Sequence, residues 1–280
     1  MGLKKATDDI SKIVDELDRE EMRKLDPNTP YTDEDGVVRD APLLAGYIDE
    51  NGILHDTFSY REMTGKDEEA INKADVRANG SKLVNVLLER CVLSIGTLTK
   101  KECGAKWGTI IREMLGGDLD YMAFKIRELS KGNEVEFTHT CPNCGQKLTT
   151  IVNTDEFNIK PFLGQREVEF ELIRGYKDKK GVHKDGVLRL PNGFDREVIT
   201  PIARKNPSTA ITALITRCVK FNDGTRVSQQ QMAEMSLRDR AILENIIKEN
   251  VFGLDTTIEG IICDSCGQEL DGELGQSNFF

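Results

Sequence analysis

The chain has 280 residues, of which 38% are hydrophobic, and no apolar run approaches the roughly 18 residues that a membrane-spanning helix needs. Acidic residues outnumber basic ones by 48 to 38, and the resulting charge of −10 argues against nucleic-acid binding over a broad surface. The N-terminal sequence MGLKK lacks the apolar core of a signal peptide. We therefore expect a soluble protein that is not exported by that route and makes no membrane contact.

Residues 1–40 are predicted to form an N-terminal arm and linker. Thr7 offers a helix N-cap, and four apolar residues then follow on one helical face: Ile10, Ile13, Val14 and Leu17. The acidic, proline-containing stretch from Asp26 to Asp40 has the composition of a linker. Two alternatives remain for this amphipathic helix: it packs on its own domain, or it reaches a neighbouring subunit.

Residues 41–157 are predicted to form a first module that begins with extended chain and continues with helices. The predicted elements are extended chain over 46–60 with a turn at Asn51-Gly52, helices from 66, over 83–91 and over 107–114, a helix ending at Gly132, and strands over 135–139 and 147–152. Gly116-Gly117 is predicted to break the chain before the last helix, which Asp118 or Asp120 would cap.

Residues 158–280 are predicted to form a second module with the same plan. The predicted elements are strands near 168–172 and 187–190, a helix over 202–219 with Pro207 near a helix start, a turn over 221–224, a helix over 237–247 and a strand over 258–262. This strand leads into a second cysteine pair.

The two modules also match residue by residue. The sequence CPNCGQKL at 141–148 recurs as CDSCGQEL at 263–270, and LLERCV at 87–92 recurs as LITRCV at 214–219. Further upstream, REMTGKDEEAI recurs as RLPNGFDREVI, and a Gly-Tyr pair recurs at 46 and 175. We therefore predict an α+β fold of two duplicated modules. Each would be mainly helical with a hairpin knuckle, and a pseudo-twofold axis would relate them.

The cysteine pairs predict a structural zinc site. Each Cys-x-x-Cys-Gly lies between two strand-like segments, and one such knuckle supplies two thiolates where structural zinc takes four. The two knuckles together supply a complete set: Cys141, Cys144, Cys263 and Cys266. This site would join the modules in the manner of a zinc ribbon. The alternatives are iron with the same ligands, lost or partial metal binding, and a redox pair, although redox pairs normally lie at helix N-termini.

No catalytic set is predicted. The three histidines are scattered, and motifs for a nucleophile elbow, a phosphate-binding loop or a metalloprotease are absent from the sequence. The recurring carboxylates Asp67 and Asp195 follow Thr64 and Asn192, so we interpret them as first-turn residues of capped helices. Cys91 and Cys218 lie in apolar helical runs and are expected to be buried structural residues. Neither an enzymatic activity nor a small-molecule substrate is expected.

The ordered motifs resemble the baseplate hub and tail-assembly proteins of contractile-tailed bacteriophages. The resemblance covers roughly residues 41–157 and 167–272, and it departs from the family where Leu119 follows Gly117-Asp118 in place of Arg. It implies a non-enzymatic component of the tail baseplate, made in the host cytoplasm and located in the virion. Its partners would be other tail or baseplate proteins, with the N-terminal arm as one candidate contact. The alternatives are a tail-assembly chaperone absent from the mature virion and a zinc-ribbon adapter for nucleic acid.

Overall fold

The computed structural model describes residues 31–179 and 181–273. It is 40% helical and 32% strand, which confirms the mixed α+β character predicted from the sequence. No helix in the described ranges is long and apolar enough to span a membrane. The amphipathic helix predicted near residues 7–17 lies outside the described residues.

The first half of the described chain combines a five-stranded antiparallel sheet with helices packed against it. The sheet has the spatial order β1-β2-β3-β4-β5, formed by β1 (Tyr31–Thr32), β2 (Val38–Ile48), β3 (Leu54–Tyr60), β4 (Val92–Ile95) and β5 (Leu98–Thr99). The helices are α1 (Gly65–Ile71), α2 (Ala74–Arg77), α3 (Gly80–Cys91), α4 (Lys100–Cys103), α5 (Trp107–Glu113) and α6 (Gly116–Lys131). A hairpin of β6 (Glu134–Thr140) and β7 (Lys147–Asn153) follows.

The second half has a three-stranded antiparallel sheet of order β11-β10-β9 and four helices. The strands are β9 (Glu167–Lys177), β10 (Val182–Arg189) and β11 (Val219–Phe221), and the helices are α7 (Gly193–Ala203), α8 (Pro207–Cys218), α9 (Gln229–Ala233) and α10 (Leu237–Glu249). The short strands β8 (Ile159–Lys160) and β12 (Gly253–Leu254) pair with each other. The last hairpin consists of β13 (Thr257–Ile262) and β14 (Glu269–Glu273).

The largest apolar core lies between the first sheet and helices α3 and α6. Leu87, Leu88 and Cys91 of α3 recur on one helical face, and none of them is exposed to solvent. A second core lies between the β9-β10-β11 sheet and helices α8 and α10, around Ile215 and Leu243. Each half therefore buries its own apolar side chains.

The β2–β3 hairpin and the β9–β10 hairpin each bend at a glycine for the same steric reason. Gly46 and Gly175 both have φ of 75°, a conformation that favours glycine. A Cβ at Gly46 would lie 2.6 Å from the carbonyl oxygen of His55, and a Cβ at Gly175 would lie 2.5 Å from that of His183. Only a residue without a side chain fits this close approach of two strands.

Part of the stretch predicted as linker is ordered as a hairpin. Strands β1 and β2 pair through Tyr31 and Arg39. The Asp33 side chain accepts the backbone N–H of Val37 at 2.9 Å and pairs with the guanidinium of Arg39 at 2.8 Å. Asp33 thus binds backbone and side-chain donors of the turn, and the acidic segment folds back so that β1 pairs with β2. The linker interpretation was wrong for these residues.

The helix predicted over 202–219 is divided into α7 and α8. Asn206 has φ of −153° and ψ of 102°, since the ring of the following Pro207 disfavours helical geometry at the preceding residue. The Asn206 side chain then accepts the N–H of Thr209 at 3.2 Å and caps α8. Pro207 at a helix start is as predicted, but Ile202 and Ala203 end α7, and a turn separates them from α8.

Candidate metal centre

Each cysteine pair lies in the turn of a terminal hairpin, in a first knuckle (residues 141–145) and a second knuckle (residues 263–267). In both, the N–H of the first cysteine donates to the carbonyl five residues later, at 2.8 Å and 2.9 Å, respectively. The glycine N–H donates back to the first cysteine, at 2.9 Å and 2.8 Å. Gly145 and Gly267 have φ of 74° and 71°, which glycine adopts readily. The two knuckles thus have the same local geometry.

The two knuckles bring their four sulfurs together. The Sγ of Cys141 lies 3.8 Å from that of Cys266, the Sγ of Cys144 lies 3.6 Å from that of Cys263, and all four sulfurs lie within 4.8 Å of one another. Zinc–sulfur bonds of about 2.3 Å separate neighbouring ligands of a tetrahedron by about 3.8 Å. A disulfide would need about 2.05 Å. The sulfurs therefore have the spacing of a tetrahedral thiolate site.

Apolar contacts between the terminal hairpins support the four sulfurs. Cys141 and Cys263 are each 1% exposed and cluster with Leu148, against which Leu270 of the other hairpin packs. A neighbouring cluster joins Phe137 to Ile261 across the same two hairpins. The sulfurs are thus positioned by packing on one side, while the second cysteine of each knuckle faces solvent.

The thiols differ in how readily they ionise when no metal is bound. The side chain of Asn143, 3.5 Å from the sulfur, and the backbone of Gln268 lower the pKa of the Cys266 thiol to about 6. The backbone of Gln146 also lowers the pKa of Cys144, but partial desolvation and the neighbouring sulfurs outweigh it and raise that pKa to about 11. Four thiolates at this spacing would repel one another, so a cation would be needed to hold four of them together.

His139 is close to the first knuckle in sequence but does not support the sulfurs. Its ring stacks on Phe137 at a centroid distance of 5.1 Å, and both ring nitrogens are buried without a hydrogen-bond partner among the described residues. The sequence offered two interpretations, an exposed strand position and a residue that orients a cysteine. The half-buried ring fits neither, because it packs flat against an aromatic neighbour.

A buried Asp–Arg cluster lies at the start of helix α1. Thr64 is the N-cap, as predicted, and Asp67 completes a capping box. The Asp67 carboxylate accepts hydrogen bonds of 2.7 Å from both Arg61 and Arg90, and Arg61 also donates to the carbonyl oxygen of Arg90 at 3.2 Å. The cluster therefore joins strand β3 to helices α1 and α3.

The second half contains the same cluster. Asp195 accepts from Arg189 at 2.6 Å and from Arg217 at 2.7 Å, and Arg189 donates to the carbonyl oxygen of Arg217 at 3.1 Å. The sequence interpretation covered only the helix caps and missed these ion pairs. The sequence does contain a pattern that could have predicted these ion pairs: both arginines recur together with the aspartate at nearly constant spacing.

Two further aspartates hold the bends of the β2–β3 and β9–β10 hairpins. Asp118 accepts the backbone N–H groups of Leu44 and Ala45 at 2.7 Å and 3.1 Å, and Asp239 accepts that of Ile173 at 2.7 Å. Asp118 was predicted as a candidate helix cap, but Leu115 is the N-cap of α6. The prediction was wrong because the carboxylate turns away from its own helix to satisfy a strand 73 residues away.

The halves contact each other through polar groups of helices α3, α5 and α7 and through a small apolar cluster of Ala45, Leu115, Leu190 and Phe252. Glu197 accepts from Arg112 at 2.9 Å and from Asn85 at 2.8 Å, and the hydroxyls of Ser81 and Thr200 lie 2.7 Å apart. Asn85, Glu197 and their neighbours lie far along the chain from the cysteines. The halves are therefore joined by a helical interface as well as by the terminal hairpins.

The model of the family described as T4 bacteriophage base plate protein matches residues 48–280, a range that includes both knuckles and both Asp–Arg clusters. The chain belongs to this family. Membership confirms the resemblance drawn from the sequence motifs and indicates a structural role in a phage tail. Comparisons with curated proteins and with solved structures give no match.

Proposed function

We propose that this baseplate protein is a zinc-stapled structural component of the baseplate hub, located in the virion and acting through contacts with other tail proteins. The four convergent sulfurs carry the proposal for the metal, and the family assignment carries the proposal for the role. Cys141, Cys144, Cys263 and Cys266 would be the zinc ligands. Four protein ligands leave no open position for a substrate, which favours a structural rather than a catalytic metal.

The staple would join two duplicated modules, residues 41–157 and 158–280, across a pseudo-twofold axis. The first cysteine of each knuckle lies within 3.8 Å of the second cysteine of the other, a reciprocal arrangement that a twofold relation would produce. The matching Asp–Arg clusters and the matching glycine bends support the same relation. Because the ligands come in equal number from both modules, metal binding would contribute to the folding free energy of the whole chain.

Replacement of a ligand tests the zinc proposal. We expect Cys144→Ser and Cys266→Ser each to abolish binding of one zinc per chain and to lower the melting temperature by about 10 °C or more, as far as a strong chelator lowers that of the wild type. Metal analysis and calorimetry measure the two effects. Cys103→Ser is the matched control, since this half-buried thiol lies outside the four-sulfur cluster.

The ligand test has a clear contrary outcome. Ligand variants that keep the wild-type melting temperature and metal content would refute the staple, and iron in the purified protein would refute zinc. A disulfide between the two knuckles would instead favour redox chemistry. Serine is nearly isosteric with cysteine, so a loss of stability in these variants reports the missing thiolates rather than a change of packing.

The structural role is tested in the particle itself. We expect mass spectrometry of purified virions to detect the chain together with other baseplate proteins. Detection in assembly intermediates but not in virions would refute the structural role in favour of a tail-assembly chaperone. A salt-sensitive gel shift with nucleic acid would favour the adapter, although the charge of −10 opposes it.

A further inference from the structure

The β2–β3 and β9–β10 hairpins end in exposed tips, which we call the first tip (residues 48–56) and the second tip (residues 177–179 and 181–184). A buried histidine marks the same register in both hairpins, since His55 and His183 each lie opposite a tyrosine. The residues around each turn can therefore be compared position by position between the two tips.

The first tip is apolar and acidic. Ile48 and Leu54 lie directly opposite each other and are 45% and 54% exposed, and the neighbouring Ile53 is 55% exposed. Glu50 and Asp56 are exposed carboxylates that make no ion pair with the described residues. Because large apolar side chains gain free energy on burial, a cluster of them at a hairpin tip favours contact with another protein surface.

A groove lies beside the first tip. Its volume is about 580 Å³, and Ile48 and Glu50 line it together with Leu98 of β5 and Ile110 of α5. The exposed apolar residues of the tip therefore continue into a concave surface. This groove is large enough to receive an apolar side chain from a protruding hairpin.

The second tip has the opposite charge at the corresponding positions. Lys179 corresponds to Glu50 before the turn, and Lys184, which follows the histidine, corresponds to Asp56. Both lysines are exposed and make no ion pair with the part of the chain that the structure describes. Val182 adds an apolar side chain that is 52% exposed. The two tips of one chain are thus complementary in charge, and both expose apolar surface.

We infer that the first tip of one copy of this chain binds the second tip of another copy. Val182 of the second tip inserts beside Ile48, and Lys179 and Lys184 pair with the two carboxylates of the first tip. Any two copies present both surfaces, and like charges oppose a contact between two first tips or two second tips. Neither tip contains a knuckle, so the inference is independent of the zinc staple.

Charge reversal in the full-length protein, followed by sedimentation velocity, tests the inference. We expect the wild type to self-associate, and Glu50→Lys/Asp56→Lys and Lys179→Glu/Lys184→Glu each to weaken this association about tenfold or more, because both tips of each variant then carry the same sign. An equimolar mixture of the two variants should restore association, since every tip then meets one of opposite charge. Misfolding of the variants would not produce this restoration.

Two further double variants complete the test. Lys131→Glu/Lys205→Glu is the control, because it makes the same change of net charge as the second-tip variant at exposed lysines outside both tips. It should associate as the wild type does. Ile48→Ser/Leu54→Ser should weaken association about tenfold without any change of charge.

Three results would overturn the inference. One is a wild type that stays monomeric up to about 100 µM, which would leave the tips to a different tail protein. Another is a mixture of the charge-reversed variants that stays dissociated. The third is equal association of Ile48→Ser/Leu54→Ser and the wild type, a result that remains decisive even if a charge-reversed variant fails to fold.

Discussion

Asp67 and Asp195 show how one side chain can organise three elements at once. Burial alone would raise the pKa of Asp67, but hydrogen bonds from Arg61, Thr64 and Arg90 outweigh it and hold the pKa below its usual range. The pKa of Asp195 is lowered in the same way, chiefly by Arg189 against the effect of burial. Stability from these carboxylates is fully present above about pH 3.9 and is lost as the pH falls below it toward the depressed pKa.

We expect Asp67→Asn to lower the free energy of unfolding by about 2–4 kcal/mol at pH 7, because two arginines lose a charged partner. Urea denaturation measures this change. Glu69→Gln is the control on the same helix, since Glu69 is exposed, and it should change the free energy by less than about 0.5 kcal/mol. Equal urea midpoints for Asp67→Asn and the wild type would contradict a structural role for the cluster.

The same variant should respond less to acid. As the pH falls below 4, the Asp67 carboxylate of the unfolded wild type takes up a proton that the folded state does not bind, whereas the amide side chain of the Asp67→Asn variant has no proton to take up. The difference in unfolding free energy between the two proteins should therefore shrink between about pH 4 and pH 2. A constant difference over this range would show that Asp67 does not act through its charge.

At the scale of elements, the bend in the β2–β3 hairpin depends on a residue of the hairpin and on a residue of a helix. Gly46 permits strand β2 to approach the carbonyl oxygen of His55, and Asp118 binds the N–H groups of the two residues before the bend. Burial raises the pKa of Asp118 to about 6, although these backbone donors act in the opposite direction. The bend therefore depends on a glycine with no side chain and on a carboxylate from helix α6.

We expect Gly46→Ala to lower the free energy of unfolding by about 2–4 kcal/mol, because the new Cβ meets both an unfavourable φ and a backbone oxygen. Thermal denaturation measures the loss. Gly52→Ala separates the two causes, since Gly52 has φ of 79° but open space at the Cβ position. It should cost only about 1 kcal/mol. Equal losses at both positions would mean that the close approach to His55 has no energetic consequence.

For the whole molecule, the question is how two halves with separate cores stay together. The polar interface around Glu197 joins their helices, and small apolar clusters around Phe137 and Leu148 join their terminal hairpins. These clusters are much smaller than the cores within each half. The proposed zinc staple would therefore matter most for the hairpins.

We expect removal of the metal by a strong chelator to expose both terminal hairpins together. Amide exchange should accelerate over 134–153 and 257–273, while the amides of α3 and α8 stay protected, because each core is buried within its own half. Exchange measured by mass spectrometry after chelation tests this. Faster exchange in one hairpin alone would contradict a site shared by the two, and unchanged exchange in both would contradict a bound metal.

Local spacing was enough to predict much of the fold. The apolar stripe from Leu83 to Cys91 identified α3, and the alternation around Phe137 identified β6, because these patterns depend only on helix and strand periodicity. The turn at Asn51-Gly52 followed from side chains that act within a few residues. Sequence spacing gave wrong predictions where a carboxylate binds a segment other than the expected one. Asp33 closes a hairpin in the predicted linker, and Asp118 binds strand β2 instead of capping its own helix.

The sequence by itself determined which residues could form the candidate site, because two cysteines per knuckle and two recurring knuckles make a complete ligand set. Only the tertiary structure decided that the sulfurs of Cys141 and Cys266 lie 3.8 Å apart. It also decided that Arg90 donates to Asp67 and that Arg112 donates to Glu197. The physical reason is range: periodicity and capping act over one or two turns, whereas these contacts depend on which distant segments bury their apolar faces together.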